Sequence, residues 1–223
     1  MKKQDYTLKQ ITDKIWCISH PSSYRIAMLF LRYQEYYESS NPDFKGKIFK
    51  IIDFMDWYSE KHGGGAFTYC NDFGGYNIPQ KIIQKIHYSP NMVDTNHYDF
   101  KMDEINKQIK ALGCTSGYII GIKEGSDINI LQHELAHGLY YTNIKYKRAM
   151  NLLLDEVDAN TKKKFFKILK SYTYDESVYL DEMQAYLSTG IITEMRKIPN
   201  IENTAKPFIA LFAEYRNNVL NHL

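Results

Sequence analysis

The feature that most restricts this chain is the stretch His133-Glu134-Leu135-Ala136-His137, set in an apolar segment with Ile128, Ile130, Leu131 and Leu139. The recurrence of apolar residues predicts a helix. Gly125 followed by Ser126 or Asp127 supplies a stop and a cap for its start. On a helix, positions i and i+4 share a face one turn apart. The helix therefore carries two imidazoles and a carboxylate into apolar surroundings, where an unpartnered polar group costs roughly 2–7 kcal/mol. A metal ion answers both imidazoles at once. The glutamate beside the first histidine would then face a water on the same ion. Zn2+ is the cofactor such an H-E-x-x-H helix implies, with His133 and His137 as metal ligands and Glu134 as the catalytic base.

A catalytic zinc site takes three protein ligands and leaves a position open, so one ligand is still to be found. The other histidines, His20, His62, His87, His97 and His222, are not at ligand spacing from the motif. Two downstream glutamates compete. Glu156 lies nineteen residues after His137 but is flanked by Asp155, Asp158 and Asn160, which read as a solvated helix end. Glu182 falls on a stripe with Val178, Ala185 and Thr189, whose small side chains let that helix approach the histidine helix. Helical geometry favours Glu182 as the third metal ligand, with Glu156 and Asp181 as alternatives.

Composition narrows the setting. With 223 residues the chain is long enough for one domain with its own core. Formal net charge is +2, with 44% hydrophobic and 24% charged residues, so nothing calls for a nucleic-acid partner. The run Lys162, Lys163, Lys164, Lys167, Lys170 alternates with Phe165, Phe166 and Leu169 and reads as the solvated face of an amphipathic helix. Cys17, Cys70 and Cys114 are odd in number and form no C-x-x-C pair, which fits reduced thiols in the cytoplasm. The N-terminal residues show no apolar signal region, and the apolar run Ile26 to Leu31 is too short to span a bilayer.

Along the chain, a short strand is expected at 14–18 and helices at about 22–38, 46–62 and 79–86. Further helices are expected at 101–112, 145–157, 161–171, 177–188 and 205–220. A β-favouring run spans 118–122, just before the histidine helix. The expected fold class is α+β, predominantly helical, with a small sheet preceding the motif. One domain, 1–223, is the simplest organisation, with a helical, aromatic-rich part over 1–100 and a metal-site core over 101–223.

The motif and its later glutamate resemble the gluzincins, zinc peptidases with H-E-x-x-H and a ligand glutamate on a later helix. The segment from His133 through Gly190 also resembles uncharacterised bacterial proteins with an H-E-x-x-H-x-L-Y-Y helix and a D-E-x-Q-A-Y-L helix. The resemblance implies a zincin-like fold and a peptidase acting on a peptide or protein substrate. It also implies that the strand before the motif helix is an exposed edge able to pair with an extended substrate, an interior strand being the plain alternative. One departure stands out. Thermolysin-like members place an aspartate four residues after the ligand glutamate to brace a histidine. Here that position is Tyr186, and Asp181 is the substitute candidate. Three other readings stay open: a non-catalytic metal-binding protein, an interaction module without metal, and a zinc hydrolase of a non-peptide amide or ester.

Overall fold

The structure, a computed structural model, describes residues 5–220. Its contacts divide the chain into two compact units, Met1–Asp127 and Ile128–Leu223. The fold is α+β and predominantly helical, with one small mixed sheet. Among the described residues no helix is long and apolar enough to cross a membrane.

The first unit contains strands β1 (Thr7–Gln10), β2 (Ile15–His20), β3 (Gly75–Pro79) and β4 (Tyr118–Lys123). Its helices are α1 (Ser23–Glu38), α2 (Ile51–Lys61), α3 (Tyr69–Asp72), α4 (Gln80–His87) and α5 (His97–Ala111). The sheet order is β1-β2-β4-β3; β2 and β4 run parallel, and both outer pairs are antiparallel. Helix α1 packs against β2, β3 and β4 and supplies Ile26, Leu29, Phe30 and Tyr33 to the core. It approaches β4 so closely that a Cβ on Gly121 would lie 2.3 Å from the Phe30 ring. Glycine is what lets this strand and helix meet.

Strand β4 is interior, paired on one side with β2 and on the other with β3. This corrects the edge-strand expectation. Its ladder groups are already committed to two neighbours, so no substrate can add to it. Helix α2 is also shorter at its start than its apolar pattern suggested. Residues 41–47 close into turns through Phe44 N–H to Asn41 O and Lys47 N–H to Phe44 O, with Gly46 at φ +71°. Helix α5 begins earlier, at His97, because Asn96 and Asp99 form a capping box. An interior ion pair of α1 crosses to that box. Arg32, 1% exposed, donates from Nε to Asp99 Oδ1 at 3.0 Å and also to the carbonyls of Phe49 and Asp94.

The second unit is helical: α6 (Ile128–Thr142), α7 (Ile144–Glu156), α8 (Ala159–Ser171), α9 (Tyr179–Thr189) and α10 (Ile201–Leu220). Side-chain caps set the starts of two of them. Asn143 accepts from the N–H groups of Lys145 and Tyr146, and Asp158 from those of Asn160 and Thr161. On α8, Phe165 and Leu169 are buried while Lys163, Lys164, Lys167 and Lys170 are exposed. Helix α9 lies against α6 and α10, with Met183, Ala185 and Leu187 fully buried. That packing brings the later carboxylates to the histidine helix.

Candidate metal centre

The residues of interest all lie in the second unit, on α6 and α9. His133 and His137 stand one turn apart on α6, their ring centroids 4.8 Å apart. Their Nε2 atoms face each other at 3.2 Å. Glu182 on α9 completes the group, with Oε2 3.6 Å from His133 Nε2 and Oε1 3.6 Å from His137 Nε2. These three residues form the one cluster of potential ligands among the described residues.

The proton positions follow from the outer partners. Asp181 Oδ1 lies 2.9 Å from His137 Nδ1. A carboxylate only accepts, so Nδ1 carries the hydrogen. His133 Nδ1 lies 3.3 Å from Thr189 Oγ1, whose own hydrogen goes to Ala185 O at 2.7 Å. The hydroxyl therefore accepts from His133 Nδ1. In their neutral forms both rings then turn Nε2 lone pairs inward, toward each other and toward a carboxylate. Two ring nitrogens and a carboxylate, one oxygen of which faces each ring, thus lie close together, an arrangement that could hold a cation.

Two further facts agree. Glu182 Oε2 is buried without a hydrogen-bond partner. Burial alone would lower the pKa of His137, but the charges of Asp181 and Glu182, the hydrogen bond to Asp181 and the Glu134 charge outweigh it. The imidazole is held well above its ordinary value, so this pocket favours positive charge. Glu134 is buried beside His133, and its charge acts on His137, Tyr174 and Tyr186.

The alternative ligand Glu156 is exposed at the C-terminal end of α7 and outside the cluster. Neighbouring Asp158 caps α8, as its solvated setting suggested. His20, His62, His87 and His97 belong to the first unit, and His222 lies outside the described residues. Asp181 takes the bracing position for which it was a candidate. Of the tyrosines near the motifs, Tyr179 packs on Phe166 with ring centroids 5.2 Å apart. Tyr186 sits against His133 at 4.7 Å between centroids.

Sequence reasoning missed Tyr174, Thr189 as a histidine partner, and the pair Gln184 and Tyr146. The Tyr174 hydroxyl lies 3.1 Å from that of Tyr186. Burial, then the Glu182 charge, pushes the Tyr186 phenol up to about 12 and raises Tyr174 further still. Both stay protonated at neutral pH. Tyr174 owes its place to the turn ending α8, where Thr173 adopts φ +62°. Its N–H bonds Lys170 O at 3.1 Å, and Tyr174 N–H bonds Leu169 O at 3.2 Å. This is a Schellman turn with threonine where glycine is usual. Nothing in the local pattern announces it. Gln184 had a signal: it lies three residues after Asp181, on the same helical face.

Comparison with protein-family profiles, with curated proteins and with solved structures finds no match.

Proposed function

We propose that the protein is a zinc-dependent hydrolase, a peptidase, with His133, His137 and Glu182 as the metal ligands and Glu134 as the general base. The observation that carries this reading is the spacing of the donor atoms. His133 Nε2, His137 Nε2 and the Glu182 carboxylate oxygens are separated by 3.2, 3.6 and 3.6 Å. Ligand atoms bonded to tetrahedral zinc at about 2.0–2.1 Å stand about 3.3–3.4 Å from one another. The donor set, two imidazoles and a carboxylate, suits zinc and leaves a coordination position open. The orphaned Glu182 Oε2 and the Asp181 brace support the same reading.

Zinc in that position would supply a Lewis acid that lowers the pKa of a coordinated water toward neutrality. The chain's own contribution is Glu134. As a carboxylate it accepts the proton of the attacking water and returns it to the leaving amine. A base next in sequence to a ligand has a use only if water is activated there, which favours a hydrolase over a purely structural metal site. Cys17, Cys70 and Cys114, buried and outside any disulfide, suit work in a reducing compartment, and a cytoplasmic location is part of the proposal.

The test is metal content of untagged protein purified without added metal, followed by peptide-library hydrolysis. About one zinc per chain is expected, lost in His133→Ala/His137→Ala. Cleavage is expected in wild type and not in Glu134→Gln, which keeps its zinc. Absence of metal after zinc is supplied overturns the metal site. Bound zinc without Glu134-dependent peptide cleavage overturns the peptidase.

A further inference from the structure

Asp181 does not act alone on His137. Its Oδ1 also lies 2.9 Å from Gln184 Nε2, and Gln184 Oε1 lies 3.2 Å from the Tyr146 hydroxyl. Every polarity in this chain is forced. Asp181 only accepts, so Gln184 must turn its amide nitrogen toward it. That leaves Oε1 facing Tyr146, whose hydroxyl must donate. The links therefore read Tyr146 O–H to Gln184 Oε1, Gln184 N–H to Asp181 Oδ1, and His137 Nδ1–H to the same Oδ1.

Burial grades along the chain. Tyr146 and Gln184 are 0% exposed, whereas the Asp181 side chain is 28% exposed. Water competes for the carboxylate at the exposed end and is excluded from the far end. A primary amide enclosed this fully costs stability unless its groups are paired. Tyr146 is itself held: it lies in the first turn of α7, capped by Asn143, with its ring against Tyr215 at 5.1 Å. The two histidines are thus supported unequally. His133 leans on a neutral hydroxyl at 3.3 Å, and His137 on a carboxylate that a buried amide and phenol hold in place.

We propose that Gln184 and Tyr146 are positioning residues for the metal centre. They hold Asp181 so that His137 keeps its hydrogen on Nδ1 and presents Nε2 inward before any metal arrives. The inference rests on His133, His137 and Glu182 being a metal site, and it assigns to two residues outside that set a share of its affinity. Tyr146 acts through Gln184, and Gln184 through Asp181.

The experiment measures zinc affinity of the metal-free full chain by competition with a chromophoric chelator, alongside its melting temperature. Gln184→Met keeps the side-chain volume and removes the donor; affinity is expected to fall about 10- to 100-fold, the range for lost outer partners of metal ligands. Tyr146→Phe is expected to cost less, several-fold. The double variant should bind no more weakly than Gln184→Met alone if Tyr146 works through Gln184 rather than through the Ser188 hydroxyl it also feels. Met150→Ala removes fully buried packing from the same unit and serves as the control. It should lower the melting temperature and leave affinity unchanged.

Affinity within twofold of wild type in Gln184→Met would overturn the inference. So would an equal loss in Met150→Ala, or additive losses in the double variant. If wild type binds no zinc, the metal-site reading itself fails, a result separable from the others because it appears before any variant is made.

Discussion

His137 Nδ1 lies 2.9 Å from Asp181 Oδ1, across the packing of α6 on α9. Asp181 immediately precedes Glu182, so one helix turn delivers both the brace for one histidine and the carboxylate that faces its Nε2. Asp181→Asn keeps the shape but can turn either an acceptor or a donor toward His137. Zinc affinity is expected to fall roughly 10- to 100-fold, measured by chelator competition. Unchanged affinity would remove Asp181 from the site.

Glu182 and Glu156 are separated by the same assay. Glu182→Ala deletes a buried carboxylate from the cluster and is expected to abolish tight zinc binding. Glu156→Ala changes an exposed side chain and should leave binding within experimental error. The opposite pattern would reassign the third ligand.

In the first unit, Arg32 and Asp99 are both nearly inaccessible, at 1% and 2% exposure. Removing one partner of such a pair strands the other charge, at a cost of about 3–5 kcal/mol. Arg32→Met is expected to lose that much in urea unfolding, because Asp99 also anchors the α5 cap. A loss below about 1 kcal/mol would show that the pair is solvated in solution.

Glu35 gives the first unit a pH dependence. Part of its surface is exposed, yet surrounding protein desolvates it and pushes its pKa from 4.5 to about 7, against hydrogen bonds from Ser39 and Tyr69 that pull it down. Between those values the folded state holds a proton that the unfolded chain has released, so stability falls as pH rises from about 4.5 to about 7. Allowing for residual exposure, the loss is about 1–2 kcal/mol. Glu35→Gln should flatten the pH profile of unfolding relative to wild type and be the more stable chain at pH 8. Parallel profiles would refute the assignment.

Thr173 at φ +62° is a β-branched residue in the left-handed region. Thr173→Gly relieves that strain and is expected to stabilise the protein by about 0.5–1 kcal/mol, net of glycine's greater freedom when unfolded. Destabilisation in chemical unfolding would mean the threonine side chain holds the turn that places Tyr174.

The histidine pair was legible in the sequence because it depends on one number, the helical repeat. Wherever residues 128–142 form a helix, His133 and His137 share a face, and the apolar pattern predicts that helix. The same local logic located α1, α8 and the α9 stripe carrying Glu182, since periodicity and caps are written in neighbouring residues. What it could not supply was anything set by meetings between distant segments. Strand β4 reads the same whether one or both of its sides are paired, and only the positions of β2 and β3 made it interior. Asp181 was a candidate, but its contact with His137 spans 44 residues and exists only because α9 packs on α6. Gln184 and Tyr146 gained their connection to the site in the same way, 38 residues apart, through burial that excludes water from the bond between them. Short-range geometry follows from bond angles and the helix repeat; which buried polar groups become partners is decided by the packing that removes their alternative, water.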